Sequence, residues 1–296
     1  MSKIKTSLGS KIFDSFNFTL LTIFGLAALV PFIYIILSSL TSTQEYLSKS
    51  FVFIPMRPSL EGYRYIFTTG VITRAVFNSI YITVVGTAFN LLFTTLLAYS
   101  LSKSYLVGRR FLMMYVIFPM VFSGGMIPTF LVVKGLGLIN SLWALILVSL
   151  INPFNLIIIR NFFQKLPSEL EDAARIDGCG DLSIFFRILL PLSKPVLATF
   201  TIFYAVGHWN GYFNALLYLN SVHLWPVQVW LRQVVITAGG QMGIGYMGDF
   251  GADHALPPTH VIKMGVIVVS TLPILVVYPF LQKHFVKGAL LGSIKG

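Results

Sequence analysis

Negative charge is what this 296-residue chain holds least of. It has ten Asp and Glu against 21 Lys and Arg, a formal net charge of +11, and charged residues make up only 10% of it. A soluble globular domain is about a quarter charged, so a large water-covered core is the wrong expectation here. Cysteine is nearly absent. Cys179 stands alone, which excludes an internal disulfide and leaves the redox compartment unreadable. A phosphate loop of the form G-x-x-x-x-G-K-[ST] is missing: "VKGLGL" at 133–138 has two glycines but no Lys-Ser/Thr, and reads as a short turn. The chain is therefore not expected to bind ATP itself. No metal site is expected either, since Asp249 and Asp253 offer too few and too irregular oxygens for a calcium loop.

What the chain has in excess is apolar sequence, 56% of residues with a mean hydropathy of +0.81. Breaking it at charges gives six runs, with spans near Phe18 to Leu40, Ala75 to Ser102, Phe111 to Val133, Gly135 to Ile159, Pro195 to about Leu219, and Met264 to Gln282. Each supplies the roughly 20 residues that cross about 30 Å of hydrocarbon, and backbone groups in lipid must be satisfied within the segment, so helices are expected. The first span is too long for a signal-peptide core and lacks an A-x-A site. The basic residues lie at the ends of runs and not in one patch, which argues against nucleic acid and for membrane topology. With a cytoplasmic amino terminus, 14 Lys and Arg fall inside and 7 outside. This predicts an all-α membrane protein, residues 1–296, with six spans and both termini cytoplasmic.

One cytoplasmic stretch breaks the pattern. "EDAARIDGCGDLSIFFRILLP", residues 171–191, carries four carboxylates, two arginines and two glycines before a proline. Ser168 and Glu171 fit a capping box opening a short helix after Pro167, and Gly178 is placed to stop it in the left-handed conformation. Asp181 is expected to cap a second short helix carrying Leu182, Phe185, Phe186 and Leu189, whose apolar groups would anchor the elbow on the bundle. Pro191 would end that helix and Pro195 would open the next span.

The spacing Asp172-Ala173-Ala174-x3-Gly178-x9-Ile188-x-Leu190-Pro191 resembles the EAA loop of ATP-binding-cassette importer permeases, with Asp where that pattern has Glu. "HWNGYFNALLYL" and "LQKHFVKGALLGSIKG" further resemble the carbohydrate branch, which contains the maltose-type inner-membrane permeases. The resemblance implies a type I importer permease fold in a bacterial cytoplasmic membrane, and a chain that is not an enzyme. It also implies a second permease subunit, two ATPase subunits that bind ATP and Mg, and an extracytoplasmic solute-binding protein. It makes residues 160–194 the coupling loop. Glu171, Asp172, Ala173 and Ala174 would dock on an ATPase subunit, Gly178 would make the turn, and Ile188, Leu190 and Pro191 would fix the elbow to the spans.

Polar groups at membrane depth usually face the bundle or a wet cavity. Asn152, Asn155, Trp209, Asn210, Tyr212 and Asn214 are the candidate solute path, although for any one asparagine hydrogen bonding between helices is the better reading. His208 reads as a hydrogen-bonded bundle residue. Pro153 should bend the fourth span, and Pro119 and Pro128 the third. Residues 220–260 form an expected extracytoplasmic loop, glycine-rich at 237–258, that would meet the binding protein. A permease for a non-sugar solute and a secondary carrier remain the rival functions. The second would ordinarily show inverted repeats or membrane-buried charge, and a membrane-embedded enzyme stands third.

Overall fold

The computed structural model describes residues 8–49, 52–237 and 259–293. The described residues are helical, with no strand among them beyond an isolated bridge between Thr41 and Pro58. Two compact units emerge, residues 1–70 with 234–269, and residues 71–233 with 270–296.

The first unit opens with α1 (Leu8–Ser39), whose apolar side chains, among them Phe13, Phe18 and Phe24, are exposed on every side, as lipid contact requires. Two short helices follow, α2 (Thr43–Ser48) and α3 (Glu61–Thr68). Glu45 ties this segment together. Its carboxylate accepts the Met56 and Arg57 backbone N–H groups at 3.0 and 3.3 Å and pairs with Lys49 Nζ at 2.8 Å. The Lys49 bond, then the Met56 bond, hold its pKa below the usual carboxylate range. Glycines allow α3 to approach the last long helix of the chain. A Cβ at Gly62 would stand 2.9 Å from Val261 Cγ1, and one at Gly265 would stand 2.7 Å from Ile66 Cδ1.

The second unit is built on α4 (Val71–Ser102), at 32 residues long enough to cross a bilayer. The third apolar run is not one helix. It divides into α5 (Arg109–Val121) and α6 (Met126–Gly135) across the glycine pair at 124–125, where Gly125 has φ +83°. The fourth run divides likewise into α7 (Trp143–Leu147) and α8 (Pro153–Gln164), with Asn152 as N-cap and Pro153 in the first turn. The elbow consists of α9 (Glu169–Ile176), α10 (Asp181–Ile184), a π turn over Phe185–Leu189 and α11 (Leu190–Leu192). It meets α12 (Lys194–Asn210) at an 83° bend. Then come α13 (Phe213–Tyr218), a 3-10 turn at Val222–Leu224, α14 (Val227–Thr237) and α15 (Thr259–Ser293). By length and composition α1, α4 and His260–Pro279 of α15 could each cross a membrane, and the bent pair ending in α12 could supply one more. The proposed loop at 220–260 is helical up to Thr237; its glycine-rich part, 238–258, lies outside the described residues.

Thr94 Oγ1 lies 3.0 Å from Tyr204 Oη, and Asn90 Oδ1 lies 2.6 Å from His208 Nε2, so α12 runs antiparallel to α4. Two apolar clusters flank this polar level. Tyr99, Leu101, Leu156, Phe163, Phe185 and Leu189 belong to the one at the elbow end, and Ile82, Leu145, Ile146, Tyr218 and Val229 to the one at the start of α4.

Candidate functional site

The elbow is locked by its own backbone first. Gly178 sits at φ +82°. Cys179 N donates to Ala174 O at 2.9 Å and Gly178 N to Arg175 O at 3.0 Å, the two bonds of a Schellman stop. The expected capping box does not form. The Ser168 side chain makes no capping bond, because Ser168 is itself in the helical conformation and its carbonyl takes the Glu171 N–H at 3.0 Å, while the Glu171 carboxylate turns to pair with Lys103 at the end of α4. Glu171 and Lys103 are both largely buried, and Lys103 also lies 4.2 Å over the Tyr99 ring. Burial of a carboxylate is tolerated when it is paired, so the partner outcompetes the local cap. Asp181 is likewise not a cap. Gly180 holds that position, and Asp181 accepts from Arg175 at 3.1 Å. The Asp181 bond, with Tyr105 beyond it, raises the Arg175 pKa above its ordinary value.

The eight expected coupling residues thus divide by face. Glu171 and Ala174 are buried, and Asp172, Ala173, Gly178 and Pro191 are exposed, with Ile188 and Leu190 half-buried. The exposed face also presents Leu170 and Ile176, the latter 86% exposed. In the second half Ile184, Phe185 and Leu189 anchor, whereas Leu182 and Phe186 point outward. Pro191 does not end the helix. The turn before it widens to a π turn, as its missing N–H and ring bulk favour, and the corner falls at Ser193, whose Oγ donates to Leu189 O at 2.6 Å.

The second feature is a cavity of about 250 Å³ at the polar level of α4 and α12. Asn152, Asn155 and Asn214 meet there with Ser149, Phe203, Tyr204, Gly207, His208 and Gly211. Three expected path residues do not line it. Trp209 is buried, with Nε1 donating to Ser270 O at 3.1 Å, while Asn210 and Tyr212 are exposed beside it. Asn90 supports the wall. Its Nδ2 donates to Ser149 O and Leu150 O at 2.6 and 2.8 Å, satisfying carbonyls that the break after α7 releases. Asn90 Oδ1 must then accept, which assigns a proton to His208 Nε2. Gly86 makes room, since a Cβ there would stand 2.5 Å from that nitrogen. Sequence reasoning missed Lys103, Tyr105, Ser149, Gly207 and Gly211; the one available signal was the pairing of a lone lysine after an apolar run with a nearby acidic segment.

The second unit thus carries a face of exposed small and apolar groups at one end of α4 and, at mid-helix, a largely apolar cavity that three asparagines enter. The family model for the inner membrane component of binding-protein-dependent transport systems matches residues 90–290. The chain belongs to that family. It is therefore a multi-pass protein of the cell membrane and part of a transport system that includes ATPase and binding-protein partners. It is similar to the polygalacturonan/rhamnogalacturonan transport system permease protein YtcP of Bacillus subtilis strain 168, at 53% identity over 287 residues, 97% of this chain and 99% of that one. Protein LplC of the same organism is 52% identical over 299 residues, 100% of both. Among solved structures, a bacterial ABC transporter that imports the acidic polysaccharide alginate matches with a TM-score of 0.85 at 33% identity, over 96% of this chain and 100% of that chain. The architecture is that of an ABC-importer permease.

Proposed function

We propose that this chain is the permease subunit of an ATP-driven, binding-protein-dependent importer for a sugar or oligosaccharide, with six spans and both termini cytoplasmic. It supplies half of the translocation path and catalyses no reaction. The names of the relatives support a saccharide, and the cavity supports half a path. At about 250 Å³ it falls below the roughly 300–1,000 Å³ of a self-sufficient ligand site, so a second, homologous permease chain would complete it. Two ATPase subunits would bind ATP and Mg. In this chain the elbow transmits their closure, because Asp172, Ala173 and Ile176 face outward while Glu171 and Ala174 fix the helix to α4. The bend at Ser193 carries that movement into α12, which lines the cavity through Phe203, Tyr204, Gly207 and His208. A ligand-driven shift between two such states needs differential binding, and nucleotide in the partner chains would supply it.

The observation that carries this reading is the continuity from exposed elbow to bent α12 to the asparagine-lined cavity. The test is uptake of labelled oligosaccharide into vesicles holding the co-expressed complex. Accumulation that requires both ATP inside the complex's cytoplasmic face and binding protein outside is expected; uptake from the chain alone, without ATP, would make it a secondary carrier.

A further inference from the structure

Charge in the second unit is sorted by end. Every Asp and Glu of residues 71–233 lies between Glu169 and Asp181, in the elbow beside the end of α4. Toward the start of α4, up to about 45 Å away at 1.5 Å per residue, the charged side chains are Arg74, Lys134 and Arg232, with His223 Nδ1 2.7 Å from Arg74. No carboxylate of this segment is there to pair with them.

Arg232 differs from the other two. It is the sole charge on α14, and it is exposed, with no carboxylate partner among the described residues. Its guanidinium carbon lies 4.5 Å from the Tyr212 ring centroid. Tyr212 sits between Gly211 and Asn214, both of which line the cavity. A guanidinium stacked on a ring uses its flat face and keeps its in-plane N–H fork available for a bidentate carboxylate. The ring and the nearby amide also suit a sugar.

We infer that Arg232, lying over the ring of Tyr212, whose chain neighbour Gly211 lines the cavity, reads a carboxylate on the solute, so that the permease takes acidic, uronate-bearing oligosaccharides. This rests on the sugar-import reading above and adds the charge of the sugar and the residue that recognises it.

The test is initial uptake by the reconstituted complex at saturating binding protein, with trigalacturonate and its carboxyl-reduced trisaccharide as paired probes. Arg232→Gln should lower trigalacturonate uptake about tenfold, the size of one lost charge-assisted pair, and leave the ratio between wild type and variant near one for the reduced probe. Arg232→Lys should fall between, since it keeps the charge and loses the fork. Equal uptake of trigalacturonate by wild type and Arg232→Gln, or equal losses for both probes, would overturn the inference and make Arg232 a headgroup anchor. If wild type moves the reduced probe only, the inference fails and sugar import stands. If wild type moves neither, the inference is overturned, while the import reading is decided by the ATP- and binding-protein-dependent uptake described above.

Discussion

Asn90 is 59 residues from Ser149 in sequence and 118 from His208, yet it holds both. A buried carbonyl left without a donor costs about 1–3 kcal/mol, and the break after α7 releases carbonyls that have no intrahelical partner. One amide serves two of them and still accepts from His208, which is why the fourth span can be broken here without an exposed backbone defect. The arrangement depends on the bare Cα of Gly86. Gly86→Ala should push the imidazole off Asn90 and destabilise the protein by about 2 kcal/mol, read as a lower denaturation midpoint of the detergent-solubilised chain. In the His208→Ala background the same change should cost much less, because the clashing ring is gone. Equal costs in both backgrounds would show that the two residues are uncoupled.

At the scale of elements, the hydrophobic pattern announced the helices and concealed their interruptions. Runs poor in charge mark α1, α4 and α15 directly. The third and fourth runs read as continuous because Ser123, Gly125 and Asn152 are no more polar than residues a bilayer span tolerates, and the donor that repairs the second break comes from α4. The elbow was legible in outline. Gly178 signalled its own left-handed stop, since glycine alone takes φ +82° without strain. The caps were misread because Ser168 and Asp181 have local spacings that fit, while the choice was made by Lys103 and Arg175, long-range partners with no periodic signature. Of the candidate path, the three asparagines of the cavity were found, and Trp209 was not separable from them, as which face of α12 turns inward follows only from packing against α4. In the other unit, Glu45 organises the segment from α2 to Arg57. Its pKa is lowered in the folded state, so its contribution is complete above the unfolded carboxylate value of about 4.3 and is lost as pH falls through the lower folded value. Thermal stability should therefore drop below about pH 4, and Glu45→Gln should be less stable at neutral pH and flatter across that range. A variant as acid-sensitive as wild type would place the effect elsewhere.

For the whole molecule, the proposed function has force entering at the elbow and leaving at the cavity. In the proposed function the nucleotide chemistry belongs to other chains and the contact with them to α9, where the acidic residues of the second unit gather with no phosphate loop elsewhere in the sequence. The residue that isolates this claim is Ile176. It is the most exposed large apolar side chain of the elbow, so replacing it should leave the fold intact. The decisive measurement is the amount of ATPase subunit that co-purifies with the membrane-extracted chain, wild type against Ile176→Asp, alongside a size-exclusion profile that reports folding. Wild type should give a stable complex and the variant at least a tenfold loss of bound ATPase, since a charge would be buried without a partner at the interface, with the permease itself still monodisperse. Full retention of the ATPase by Ile176→Asp would contradict the proposed function.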